Sequence, residues 1–391
     1  MKPWAILLFS MMLAGCATAP PPSPQAAAQL FQDSEFGPPS TPIGAENLFA
    51  LSDEMRRYIR TDIADQLQIH GRKRGLITAL YNKNQLKLEF DSTITRTAAQ
   101  AFEARSGNCL SLVIMTAAFA KELGLTVRYQ KVLVDEIWSR SGDNYLLIGH
   151  VNLSLGERRP ETGHVVTDSL TIDFLSPQDV SALHSKDISE DTIVAMYMNN
   201  RAVESLTQGQ LDDAYWWARA AIGKDPEFLS AFNTLGAAYQ RHGNLAESER
   251  AFAFVLDREP ANTHVMSNLV LVLNALGRTG EAQVLSTRLA KLEPEPPFSY
   301  FKRGMSALKE GNYGVAKEWF TKEVDRAPYY HEFQFWLAVA CAGLGDVEGA
   351  RAHLTIALEN STTRSERDLY AAKLVRLSAY GKQQSVPATA Q

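Results

Sequence analysis

Residues 231–260 read AFNTLGAAYQRHGNLAESERAFAFVLDREP, and their spacing decides the fold of the second half of the chain. Phe232, Leu235 and Tyr239 fall on one face of a helix, Gly243 breaks it, Ser248 and Phe252 belong to a second helical run, and Pro260 ends that run. The same punctuation recurs on either side. Glycines stand at Gly209, Gly243, Gly277, Gly311 and Gly345, each thirty-four residues after the last, and Pro226, Pro260, Pro294 and Pro328 keep the same interval. After each glycine a small residue holds a matching place (Ala214, Ser248, Ala282, Ala316, Ala350), where two helices must approach closely. A fixed period of this length builds a chain of helix-turn-helix units, each burying its apolar face on the next.

The interval, together with Phe232, Leu235, Gly236, Tyr239, Phe252 and Pro260, resembles the tetratricopeptide repeat. The resemblance implies an all-α solenoid of five repeats over residues 191–362. The fifth copy has Thr362 where a proline is expected. An amphipathic stretch follows, residues 364–380, with Tyr370, Leu374 and Leu377 on one face. Residues 363–391 are therefore expected to be a solubilising cap helix and a disordered tail. By the same resemblance the first helix of each repeat lines a concave face, here Val203, Leu271, Phe298, Phe301, Met305, Leu308, Phe335 and Val339. Phe298, Phe301, Met305 and Phe335 are the candidate contacts for a protein or peptide partner. No Lys and Arg cluster stands there to clamp a carboxylate, so such a partner would bring apolar side chains. The stripe fits packing against the chain's own N-terminal domain, or a place in the repeat core, equally well. Cys341 falls at a helix-packing position and reads as a small core hydrophobe.

The other end of the chain has a different character. One basic residue, Lys2, precedes an apolar run from Trp4 to Ala14, the layout of a secretory signal and too short for the ~20 apolar residues a membrane-spanning helix needs. It closes on Leu13-Ala14-Gly15-Cys16, which resembles the lipobox of bacterial lipoproteins. The resemblance implies removal of residues 1–15 and lipidation of Cys16. By the same resemblance, an acidic residue after the cysteine would favour inner-membrane retention; Ala17 stands there, so the resemblance implies the cell envelope, on the outer membrane facing the periplasm. Residues 16–45 are rich in Pro, Ser, Thr, Gln and Ala, a composition expected to stay extended and solvated as a tether.

Forty-four acidic against thirty-nine basic residues leave a formal charge of −5, without the basic runs a nucleic-acid partner requires. Beyond Cys16 the chain has two cysteines, Cys109 and Cys341, in different domains, so disulfide stapling is not its organising device.

Residues 46–190 form the remaining domain. Glu46–His70 and Arg72–Asn82 have helical spacing, and Leu110, Val113, Ile114 and Ala117 mark a strong helix that begins at Cys109. Unpaired amides at a helix start favour thiolate over thiol, and the Cys109 backbone N–H is placed to receive an oxyanion. In Leu147–Leu155 the alternation sets Leu147, Val151, Leu153 and Leu155 on one face and His150 on the other. In Ser169–Phe174 it sets Leu170, Ile172 and Phe174 opposite Thr171 and Asp173. A helix-start cysteine, then a histidine and an aspartate on successive strands, is what a thiol nucleophile needs: a base, and a group to fix the base's tautomer.

Thr97-Ala98, Arg105-Ser106-Gly107-Asn108-Cys109, Leu123-Gly124-Leu125 with Arg128, His150, and Ile172-Asp173-Phe174 resemble the transglutaminase-like branch of papain-type folds. The resemblance implies an α+β domain with Cys109 as nucleophile, His150 as general base and acid, and Asp173 as orienter. Asn152 departs from it, since an aromatic residue often stands two places after the histidine. The expected activity is thiol acyl transfer, as amide or isopeptide hydrolysis or transglutaminase-type cross-linking. The rival expectation is a non-catalytic envelope scaffold that binds protein partners through its repeats. No cofactor is expected, and no metal, because no pair of His, Asp or Glu has ligand spacing with an adjacent cysteine.

Overall fold

The computed structural model describes residues 23–81, 86, 88–141, 144–157, 169–174 and 184–384. The signal segment, Cys16 and the last seven residues lie outside these. In chain order the elements are α1 (Pro24–Ala28), α2 (Asp53–Thr61), α3 (Ala64–Tyr81), β1 (Glu89–Phe90), α4 (Ala98–Ala104), β2 (Ser106–Gly107), α5 (Cys109–Glu122), β3 (Thr126–Ser141), β4 (Asn144–Gly156), β5 (Leu170–Ile172) and β6 (His184–Ile188). Helices follow: α6 (Glu190–Thr207), α7 (Leu211–Lys224), α8 (Leu229–His242), α9 (Leu245–Leu256), α10 (Thr263–Ala275), α11 (Thr279–Leu292), α12 (Ser299–Lys309), α13 (Tyr313–Arg326), α14 (His331–Gly343), α15 (Val347–Glu359) and α16 (Arg364–Gln384). Among the described residues no helix is long and apolar enough to cross a membrane.

The chain divides into two compact units, each drawn from two stretches: residues 1–45 with 189–293, and residues 46–188 with 294–391. The second division, at Glu293/Pro294, falls inside the repeat region beside Pro294, Pro296 and Pro297, which lack the amide hydrogen a continuing helix would use.

In the first unit α6–α7, α8–α9 and α10–α11 pack as antiparallel pairs, and in the second α12–α13 and α14–α15 do so, with α16 against α15. The glycine ladder has a direct cause. Gly209, Gly243, Gly277, Gly311 and Gly345 all have φ between 74° and 98°, the left-handed conformation that ends a helix and turns the chain into the next. The small residues after the turns are each 2% exposed or less, as close helix packing demands.

Two expectations need correction. Phe298 and Phe301 are 1% and 4% exposed and pack with Phe320 and Phe333 in an aromatic core, so they form no open partner face. Met305 packs on that same cluster, and Phe335 stacks on Tyr370 of α16 at 5.1 Å. Helical periodicity identifies an apolar stripe but not whether a neighbouring helix covers it. The tether is also not wholly solvated: residues 30–40 lie on α7 and the end of α8, with Leu30 and Phe36 buried.

In the second unit, the described part of residues 46–188 has helices, a parallel pair of short strands β1-β2, and a four-stranded antiparallel sheet of order β5-β4-β3-β6. Every residue of α5 from Cys109 to Ala120 is buried, the mark of a helix enclosed on all sides. α3 breaks at Gly71 (φ 76°), between the two helical stretches read from the sequence.

Candidate functional site

The approach to Cys109 is built by short-range chemistry. α4 opens with a reciprocal cap between Thr97 and Gln100 and ends on Arg105 in the left-handed region, which turns the chain into β2. Gly107 has no room for a side chain, since a Cβ would meet that of Ser111 at 2.7 Å. Asn108 caps α5, its Oδ1 accepting from the Ser111 amide at 2.9 Å and from Ser111 Oγ at 2.8 Å. Its Nδ2 donates to Thr95 Oγ1 at 2.9 Å, and the Arg96 amide donates to Ser111 Oγ at 2.8 Å. Cys109, the first residue of α5, is thus pinned from both sides.

Strand β4 presents His150, Asn152 and Ser154 on one face, and all three are buried, at 2%, 4% and 4% exposure. Over residues 150–156 both faces of this strand are covered, whereas alternation alone suggested one apolar face and one open one. The register pairs Leu153 with Ile172 and Ser154 with Thr171, and one further step sets Asp173 opposite Asn152. Ser154 and Thr171 hydroxyls bond at 2.8 Å. Asp173 meets His150 Nε2 with both oxygens, at 2.8 and 2.9 Å, and accepts from Asn152 Nδ2 at 3.0 Å. A carboxylate on Nε2 favours the tautomer with hydrogen there and leaves Nδ1 as the basic nitrogen.

Helix α5 packs on β4 and β3. Cys109 lies close enough to Asp173 to feel its charge. Burial pushes the Cys109 thiol up to about 12, the Asp173 carboxylate adds to the rise, and the cysteine's own amide pulls the other way. The preference for thiolate expected at a helix start is therefore outweighed in this state: desolvation of a cysteine 8% exposed exceeds the effect of the unpaired amides. His150 and Asp173 are brought into direct contact, and Cys109 within electrostatic reach.

Asn152, read from the sequence only as a departure from a family pattern, holds the second carboxylate oxygen. Its own Oδ1 is buried without a partner, as is Thr116 Oγ1 two turns along α5 from Cys109. The signal for Asn152 was available: a row of polar residues at period two in an apolar strand, facing Thr171 and Asp173 on the next. Cys341 is 1% exposed in α14, and burial raises its thiol pKa.

In the C-terminal region the helices that the family model covers are tetratricopeptide repeats of an all-α solenoid. The family model for the tetratricopeptide repeat matches residues 233–287 and 301–364. Curated relatives include the TPR repeat-containing protein YvcD of Bacillus subtilis, 24% identical over 37% of this chain and 29% of that protein. Another is the TPR repeat-containing protein PA4667 of Pseudomonas aeruginosa, 26% identical over 36% of this chain and 24% of that protein. The chain thus spans less than a third of the length of either. Similar solved structures are TTC0263, a thermophilic TPR protein of Thermus thermophilus (18% identity, 46% of this chain and 99% of that one, TM-score 0.29), and YrrB, titled a TPR protein with an unusual peptide-binding site (22%, 46% and 92%, TM-score 0.25).

Proposed function

We propose that this protein is a repeat-based scaffold that binds protein partners, and that residues 46–188 add a thiol acyl-transfer site of transglutaminase-like type. Tetratricopeptide helices support the first part, since stacked repeats present extended surfaces suited to peptides and proteins. The second part rests on one observation: the two-oxygen contact of Asp173 with His150 Nε2, with the Asp173 charge also felt by a cysteine that starts a helix.

In this reading His150 Nδ1 takes the Cys109 proton as the sulfur attacks an amide carbonyl. The C–S bond forms, the C–N bond breaks, and the imidazolium returns its proton to the leaving amine. Water then attacks the thioester, giving a proton to Nδ1: the C–O bond forms, the C–S bond breaks, the acid departs, and the sulfur takes the proton back from Nδ1. Asp173 holds the ring, and Asn152 holds Asp173. We further propose that Cys16 carries lipid and anchors the chain in the bacterial envelope, on the periplasmic face of the outer membrane. The lipobox-like Leu13–Cys16 supports this, and a Cys16→Ser variant should lose incorporation of a palmitate analogue.

The purely scaffolding alternative is favoured by the burial of Cys109 and its raised pKa, which suit an inert core thiol. Reaction with an activated ester, followed by intact-mass analysis, separates the two. The catalytic reading expects a transient acyl adduct on Cys109, absent in Cys109→Ala, at least tenfold slower in His150→Ala and unchanged in Cys341→Ala. Adduct on Cys341 alone, or none, leaves the scaffold.

A further inference from the structure

We propose that the face made by α7 and the end of α8 is a peptide-recognition site whose resident ligand is the chain's own Leu30–Ser40, and that it accepts from a partner an extended segment with a carboxylate three residues before an aromatic-glycine pair. This deepens, and rests on, the partner-binding part of the reading above and is independent of the thiol chemistry.

The contacts are those of a receptor with a peptide. Asp33 Oδ1 accepts from Tyr215 Oη at 2.6 Å and Arg219 Nε at 2.8 Å, and Oδ2 accepts from Arg219 Nη2 at 3.0 Å. The pairing is bidentate, which discriminates a carboxylate from other acceptors by geometry as well as charge. Phe36 lies flat on Tyr215, ring centroids 4.0 Å apart and planes within 5°, with Tyr239 and His242 at its sides. Gly37 follows because space is short there: a Cβ would come within 3.1 Å of Asp212 Oδ2.

The backbone of the segment is read as well. Tyr239 Oη donates to the Leu30 carbonyl at 2.7 Å, Trp216 Nε1 donates to the Gly37 carbonyl at 2.7 Å, and the amides of Gln32, Gly37 and Ser40 donate to Tyr215 Oη, Asp212 and Asp213. Repeat side chains thus satisfy main-chain groups that secondary structure would otherwise pair, which is how an added peptide is held. Beyond a single turn at Asp33–Glu35 the segment has no regular structure of its own. Its apolar anchors are essentially Leu30 and Phe36, while the whole stretch must be ordered to dock. The apolar gain is therefore small against the cost of ordering the stretch, and the polar contacts named above set how tightly it is held. Its covalent attachment gives it a high effective concentration, so a competitor must match the motif well.

The test uses full-length protein and a fluorescent peptide of residues 28–42, read by anisotropy. Wild type, with its site filled, should bind weakly. A full-length Asp33→Ala/Phe36→Ala chain should bind at least tenfold more tightly, and adding Arg219→Ala should remove that gain. A double variant of unchanged circular dichroism that binds no better than wild type overturns the proposal. Should that variant fail to fold, hydrogen exchange on the unmutated chain decides. Amides of Gln32, Gly37 and Ser40 exchanging at least tenfold faster than those in the middle of α7 support an exchangeable ligand. Equal protection makes the segment core and ends the idea. None of these readouts depends on an adduct at Cys109.

Discussion

Asp173 acts on its two neighbours in opposite senses. Its carboxylate fixes the His150 ring, which a general base needs, yet its charge helps hold the Cys109 thiol protonated, which opposes nucleophilicity. Asp173→Asn should separate these effects. Removing a negative charge stabilises the thiolate, so the pH midpoint for alkylation of Cys109 by iodoacetamide should fall, while ester turnover should drop by roughly 10²-fold or more as the base loses its orienter. An unchanged midpoint would show that Asp173 does not act on the sulfur. The raised thiol pKa also carries a sign for stability: its contribution is full below the thiol's unfolded value and fades as pH climbs toward about 12. Alternation along two strands sufficed to place His150 and Asp173 on facing rows. It was silent on the burial of those rows, because covering a face is decided by helices distant in sequence. Asn152 and the neutral thiol both follow from that covering.

The turn glycines show what periodicity can and cannot convey. Gly277 and Gly280 lie three residues apart, one at φ 75° in the turn after α10, the other inside α11 with open space around it. Gly277→Ala should destabilise the protein by about 1–2 kcal/mol, the cost of forcing a Cβ into the left-handed region. Gly280→Ala should instead stabilise by roughly 0.5–1 kcal/mol, because the unfolded chain loses freedom and the helix gains a better former. Urea unfolding of both variants checks the opposed signs; the same sign for both would mean the turn does not require its glycine. The helix pairs and the α16 cap were legible because each residue type in the ladder answers a local backbone demand. The docked segment was not. Its Pro and Ser content averages to disorder, whereas docking depends on a few particular side chains, Asp33 and Phe36 above all, meeting partners about 180 residues away.

The partition into units changes what truncation should do. Residues 46–188 share a unit with residues 294–391, although three repeats intervene in the chain. Among the described residues the links between these two stretches include the Ser92 amide donating to the Thr362 carbonyl at 3.2 Å, and Glu89 facing Arg364 and Arg367 at 3.9 and 4.0 Å. One backbone bond contributes about 0.5–1.5 kcal/mol and each exposed ion pair ~0–1 kcal/mol, so these three contacts together contribute at most a few kcal/mol. Against this stands a core of the segment's own, with Leu48, Met55, Ile63, Leu76, Ile114 and Phe119 fully enclosed, at about 1.5–3 kcal/mol for each large side chain removed from water. The second figure wins. A chain ending at Glu293 should therefore keep α5 folded and lose only about 1–3 kcal/mol in that segment. Hydrogen exchange along α5 is the measurement. Retained protection, slightly reduced, fits a self-sufficient segment that merely docks on α16, whereas exchange at unprotected rates would mean that the last two repeats are structurally required by the Cys109 site.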